Sequence, residues 1–127
     1  MSWQGYVDEQ LVGTGNITAA VIIGAADGST WATSKNWTLK GGEGAGIVAL
    51  YKNPADSFAK GITAGGVKYM AIKADDRSIY GKKGATGIVV VKTTQCIIIG
   101  YYDETKQPGN AAVVCEKLGD YLIENGY

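Results

Sequence analysis

The side chains that most often carry out enzyme chemistry are scarce in this sequence. It has no histidine, which removes the commonest general base and the commonest neutral metal ligand. Its two cysteines, Cys96 and Cys115, stand far apart in apolar runs. Without histidine they make a poor zinc site, and a cysteine nucleophile would lack its usual base. The expected role of both is as small buried hydrophobes, kept reduced in a cytosolic chain. A serine or threonine nucleophile would have to rely on lysine or a carboxylate. The adjacent carboxylates Asp75-Asp76 fall where a turn is needed, and turn formation explains them at least as well as paired catalysis. Residues 41–46, "GGEGAG", resemble a phosphate-binding loop only superficially: Ile47 takes the place of the last glycine of GxGxxG, and no strongly apolar strand leads in. A flexible turn before a short helix is expected there. The expectation is a binding module, not an enzyme, with no metal and no cofactor.

What the chain does concentrate is aromatic surface. In the opening "SWQGYV", Trp3 and Tyr6 are three apart, so on a helix they share one face. Trp31, Tyr121 and Tyr127 carry the same chemistry, a flat apolar ring with a donor at its edge. A run of prolines is the matching guest: it is already a polyproline II helix, loses little entropy on docking, and offers carbonyl acceptors without N–H donors. The five rings converge only if the two terminal helices lie side by side with the Trp31 strand alongside. The plain alternative is that these rings are core. It is weakest for Tyr127, because an aromatic at a terminus is idle unless it packs or binds.

The elements that must position these rings follow from patterning. Trp3, Tyr6, Val7 and Leu11 keep the helical period from Ser2, a suitable N-cap, to Val12. "ITAAVIIGA" (17–25) and "STWATS" (29–34) read as strands joined at Asp27-Gly28. Short helices are expected over Ala45 to Tyr51 and over Pro54 to Lys60. Four further strands, 67–75, 78–83, 87–94 and 95–103, are separated by short connections, which favours an antiparallel meander. A last helix is expected from Asn110, as N-cap, to the end. The expected class is therefore α/β in the α+β sense, with an antiparallel sheet of about six strands and a helix at each terminus.

At 127 residues the chain fits one domain, 1–127. Twelve basic residues balance twelve acidic ones, so there is no global field to draw it onto nucleic acid. The balance is uneven. Between Lys60 and Lys92 seven cations (Lys60, Lys68, Lys73, Arg77, Lys82, Lys83, Lys92) face only Asp75 and Asp76, giving this third +5 and the remainder −5. The first thirty-four residues lack Lys, Arg and an apolar run of signal-peptide type, and no stretch is long enough to span a bilayer. Asn16-Ile17-Thr18 and Asn36-Trp37-Thr38 match the glycosylation sequon by chance on that reading. A cytoplasmic location is expected.

Four segments in order, "SWQGYVDEQLVGTG", "DGSTWATS", "DDRSIYGKKGATGIVVVKT" and "EKLGDYLIENGY", resemble the profilin family in its small amoeba and plant version. The resemblance runs the whole length. It implies a cytoskeletal protein that binds monomeric actin, proline-rich ligands such as those of filament nucleation and elongation factors, and anionic phosphoinositides. It also implies both terminal helices on one face of the sheet, with the short helices on the other. By matching position it places the proline-rich site at Trp3, Tyr6, Trp31, Tyr121, Leu122 and Tyr127. In some profilins a histidine stands where Tyr121 is, and the tyrosine keeps a ring with a polar edge. The actin face would comprise Phe58, Ala59, Lys68, Lys73, Arg77, Lys82, Lys83, Gln107 and Lys117. That face takes in most of the +5 band, which would steer an acidic partner or attract anionic lipid. The rival expectation is a sheet-based sensory or trafficking module that does not bind actin.

Overall fold

A computed structural model describes residues 2–127. The backbone is organised around strands whose side chains are apolar on both faces. β1 (Ala19–Gly24) is buried along its whole length, and β6 (Thr86–Lys92) and β7 (Cys96–Tyr102) nearly so. Such strands need cover on both sides. With β2 (Thr30–Thr33), β3 (Ile62–Ala64), β4 (Val67–Ala74) and β5 (Ser78–Lys83) they form a seven-stranded sheet in the order β2-β1-β7-β6-β5-β4-β3. All neighbours are antiparallel.

The alternation of side chains sorts the core into two layers. One face of β1, β6 and β7 (Ala20, Ile22, Val89, Val91, Cys96, Ile98) packs under Val7 and Leu11 of the first helix and Ala111, Cys115, Leu118 and Leu122 of the last. The other face (Val21, Ile23, Ile88, Val90, Ile97, Ile99), together with Ile79 of β5, packs on Ile47 and Leu50 of α2 (Glu43–Leu50). The terminal helices therefore share one face of the sheet, and the short α2 covers the other. Both cysteines are free and buried, and burial pushes the Cys115 thiol up to about 12.

Several details differ from expectation. The sheet has seven strands because β3 is only three residues long, too short to display an alternation. Its pairing with β4 (Ile62↔Tyr69, Ala64↔Val67) is made by the Gly65-Gly66 turn, where both residues have positive φ. The Glu43 carboxylate clamps that turn, accepting the Gly65 and Gly66 N–H at 2.7 and 2.9 Å and the Lys40 N–H at 2.7 Å. In "GGEGAG" Gly41 and Gly42 make the expected turn, and α2 begins at Glu43, two residues earlier than Ala45. The third helix, α3 (Asp56–Lys60), is shorter than expected.

The first helix, α1, is not regular. An α-turn (Trp3–Gly5) capped by Ser2 Oγ on the Gly5 N–H opens into wider π turns (Tyr6–Leu11), then tightens into a 3-10 turn (Val12–Thr14). Apolar residues at 3, 6, 7 and 11 fit either winding, so period alone does not distinguish them. Gly13 is demanded here, since a Cβ would sit 2.6 Å from the Asp8 carbonyl oxygen. The last helix, α4 (Pro108–Glu124), starts before Asn110. Pro108 has the fixed φ of a first helical turn and needs no N–H partner there.

Candidate functional site

Trp3 is the centre of the aromatic arrangement. Its ring lies 5.5 Å from Tyr6, 4.9 Å from Trp31 and 5.5 Å, edge-on, from Tyr127, and Tyr6 continues to Tyr121 at 6.2 Å. Five rings from α1, β2, α4 and the final residue thus form one connected surface. Trp31, Tyr121 and Tyr127 are between a third and a half exposed. Trp3, Tyr6, Tyr121, Asn125 and Tyr127 line a cavity of about 230 Å³.

Each ring has an identifiable support. The Gln4 amide donates to the Thr33 carbonyl at 2.8 Å, fastening α1 to β2. The absence of a side chain at Gly24 lets the Trp31 indole cross β1, since a Cβ there would meet its ring nitrogen at 3.0 Å. Tyr127 is held rather than frayed. Its N–H donates to the Leu122 carbonyl at 2.8 Å, and its own carbonyl accepts from the Gln95 N–H and, at 2.8 Å, from the Thr93 hydroxyl. Gln95 Nε2 donates to the Gly126 carbonyl at 2.8 Å. Burial, then the neighbouring Tyr121, raises the Tyr6 phenol above its ordinary value.

Leu122 does not join this surface. It is fully buried in the core under α4, one residue from Tyr121 and so about 100° further round the helix, where it supports the rings and touches no guest. Asn125, Thr93 and Gln95 were not legible as site residues: the first lines the cavity, and the other two act only through a β6–β7 turn that the chain end happens to reach.

The cationic residues form a second surface on β4, β5 and α3. Lys68, Lys73, Lys82 and Lys83 are exposed. Met70 pairs in register with Lys82, and Lys73 with Tyr80, its Nζ 4.9 Å from that ring. Phe58 and Ala59 are exposed on α3, whose end at Gly61 abuts the Lys68 side chain. Lys83, at the β5–β6 turn, and Gln107, after β7, share one end of the sheet. Three apolar side chains were missed. Met70, Ile72 and Val113 are 76%, 59% and 50% exposed, a signal visible only once the strand edges are known.

The structure does not bring all of the predicted cations together. Arg77 is engaged within the fold: Nη2 meets Asp120 at 2.8 Å and Nε meets Glu116 at 3.3 Å, fastening β5 to α4. Glu116 also accepts from the Ser78 hydroxyl at 2.7 Å and from the Tyr80 hydroxyl. Lys117 lines a separate cavity facing α1. Lys92 lies on the α2 side, 5.9 Å from the Tyr51 ring, so the +5 band of the sequence is divided between two faces.

An antiparallel sheet with both chain ends helical on one face, an aromatic groove joining those ends, and a basic, partly apolar surface beside it define a small protein-binding module. The Profilin family model matches residues 1–127. Profilin-P of Physarum polycephalum is 69% identical over 127 residues, covering 100% of both chains, and the crystal structure of Acanthamoeba castellanii profilin II is similar with a TM-score of 0.95 at 50% identity, over 99% of this chain and 100% of that one. The chain belongs to the profilin family. The fold extends to more distant structures. Mouse profilin IIa in complex with a double repeat from the FH1 domain of mDia1 has a TM-score of 0.78 at 18% identity over 100% of both chains, and a LokiProfilin2 complex with rabbit actin has 0.80 at 19% over 98% of each.

Proposed function

We propose that this profilin acts as a single domain that binds monomeric actin on one surface and a proline-rich segment in the five-ring groove, bringing monomer to growing filaments. It works without catalysis, metal or cofactor, in the cytoplasm and at the cytoskeleton. The observation that carries the reading is the connected set Trp3, Tyr6, Trp31, Tyr121 and Tyr127, built from both ends of the chain and left partly open. Flat rings with donors at their edges match a guest that has only acceptors.

The actin surface comprises Phe58, Ala59, Lys68, Lys73, Lys82, Lys83 and Gln107, with Met70 and Ile72 of β4 as exposed apolar residues among the lysines. An apolar centre ringed by charge is the usual plan of a protein interface. Lys117 adds an exposed cation from α4, and Arg77 serves the surface by fixing α4 against β5. The exposed lysines also attract phosphoinositide headgroups, each contributing about 1 kcal/mol near an anionic surface.

Retention on immobilised poly-L-proline tests the groove. Wild type is retained and Trp3→Ala is not, with a loss of roughly 2 kcal/mol or more for removal of a central aromatic. Unretained wild type, or equal retention of the variant, refutes the groove. Titration of monomeric actin with Phe58→Ala tests the other surface, with weaker actin binding and unchanged proline binding expected.

A further inference from the structure

Of the five asparagines, only Asn125 is followed by glycine. Asparagine is a chemically labile residue, because the backbone nitrogen of the next residue can attack its side-chain amide carbon. A glycine in that place has no Cβ to shield the nitrogen and lets the backbone turn to bring it in. The other four lack this freedom. Pro54 follows Asn53 and has no N–H to give, and Asn16 and Asn36 precede the bulky Ile17 and Trp37. Ala111, after Asn110, is inside α4 with its N–H bonded to the Gln107 carbonyl at 3.0 Å. Asn125 is exposed just past the end of α4 and lines the groove cavity beside Tyr121 and Tyr127. Its Nδ2 donates to the Tyr121 carbonyl at 2.7 Å, and the Gly126 N–H donates to the Ile123 carbonyl at 3.1 Å. Both bonds belong to the exposed last turn of a helix, the part that opens most readily.

We propose that Asn125 is a deamidation site built into the groove, and that its conversion to aspartate or isoaspartate weakens the hold on a proline-rich segment. The second part rests on the reading that the rings bind such a segment. In the first step the Gly126 nitrogen loses its proton and bonds to Asn125 Cγ. The Cγ–Nδ2 bond breaks, and Nδ2 leaves with that proton as ammonia. Water, the one co-reactant, then opens the succinimide and returns a proton to the Gly126 nitrogen. Addition of water at Cγ gives aspartate on the normal backbone. Addition at the Asn125 main-chain carbonyl carbon gives isoaspartate, with an extra methylene in the backbone before Gly126. Either product puts a carboxylate where an amide donated, so the Tyr121 carbonyl loses that donor. The new charge also stands at the negative end of the α4 dipole, next to Glu124, and the last turn holds no cation to offset it. Isoaspartate further lengthens the path from α4 to Tyr127, whose ring contact with Trp3 and bonds to Thr93 and Gln95 depend on that spacing.

The test warms the whole protein at mildly alkaline pH and separates the more acidic product by anion exchange. Peptide mass spectrometry locates the change, and labelling with an isoaspartate methyltransferase tells isoaspartate from aspartate. Asn125 converts ahead of the other four asparagines. By tryptophan-fluorescence titration the acidic fraction binds octaproline about tenfold more weakly than the unconverted one, as expected for a lost hydrogen bond and an unfavourable charge at the groove. Its circular dichroism spectrum is unchanged, which makes the loss local. Asn125→Gln, whose longer side chain closes the corresponding ring far less readily, keeps throughout the warming whatever octaproline affinity it starts with. Asn125 still intact when other asparagines have converted overturns the site. An acidic fraction that binds octaproline as tightly as the unconverted one overturns the effect, as does a binding loss accompanied by global unfolding. An equal loss of affinity in warmed Asn125→Gln assigns the change to another residue and overturns the inference. Failure of fresh wild type to bind octaproline overturns the underlying reading and the effect with it, and the mass map then decides the site by itself.

Discussion

Single carboxylates and single rings do most of the local work. Asp27, Asp75 and Asp103 each accept backbone N–H groups two or three residues ahead, from Ser29, from Arg77 and Ser78, and from Thr105. The pKa of each is lowered, chiefly by hydrogen bonds from Ser29, from the Ser78 and Arg77 backbone, and from Thr105. A lowered folded-state pKa gives stability that is complete above the ordinary aspartate value and lost as pH falls through the folded one. The melting temperature should therefore be flat between pH 5 and 8 and fall below about pH 4. Asparagine keeps the accepting oxygen without titrating, so an Asp27→Asn, Asp75→Asn, Asp103→Asn variant should show a shallower acid limb. An identical limb would place the acid sensitivity elsewhere. The turn role of Asp75 was legible from its position between two strands. The burial of Leu122 was not, because helical spacing puts it beside Tyr121 in sequence without saying which of the two faces inward.

At the scale of elements, the groove depends on how a helix end meets a turn. Thr93 is almost fully buried, and its hydroxyl donates to the Tyr127 carbonyl while accepting from the Cys96 N–H at 3.2 Å. It thus bonds the β6–β7 turn to the residue that carries the fifth ring. Thr93→Val is nearly the same size but leaves that carbonyl with one donor fewer. Loss of one such bond costs about 1 kcal/mol. Proline-peptide affinity should fall about three- to tenfold, with Thr93→Ser restoring it. Unchanged affinity in the valine variant would mean that the Gln95 bonds hold Tyr127 by themselves. The central strands and both terminal helices were readable because each repeats its pattern over six or more residues. β3 has three residues, and the π turns of α1 leave the apolar spacing unaltered, so neither left a periodic trace. The Glu43 clamp was equally hidden, since it joins residues 22 and 23 positions apart through backbone N–H groups that every sequence has.

Across the whole molecule the two candidate surfaces lie on either side of α4 and differ in physical character. The groove is uncharged rings, whereas the β4–β5 surface carries Lys68, Lys73, Lys82 and Lys83 around exposed Met70 and Ile72. Charge was legible in the sequence as a band, but not its division, because strand pairing sends Lys92 to the α2 side and the fold consumes Arg77 internally. Salt separates the two modes. Raising ionic strength from about 0.01 to about 0.1 M shortens the Debye length from about 30 to about 10 Å. Long-range attraction of an acidic partner to the lysine surface is screened over that range, while stacking of prolines on rings is not. Stopped-flow association with monomeric actin should slow about tenfold across this change, and octaproline affinity should shift less than about twofold. Lys82→Glu with Lys83→Glu should slow actin association at low salt and flatten its salt dependence, leaving octaproline binding as in wild type. Both residues are exposed at the end of β5 and take no part in the core, so loss of both activities together would show that the two surfaces are coupled through the fold. A salt-independent actin association rate would assign that interface to the apolar residues Phe58, Met70 and Ile72 instead.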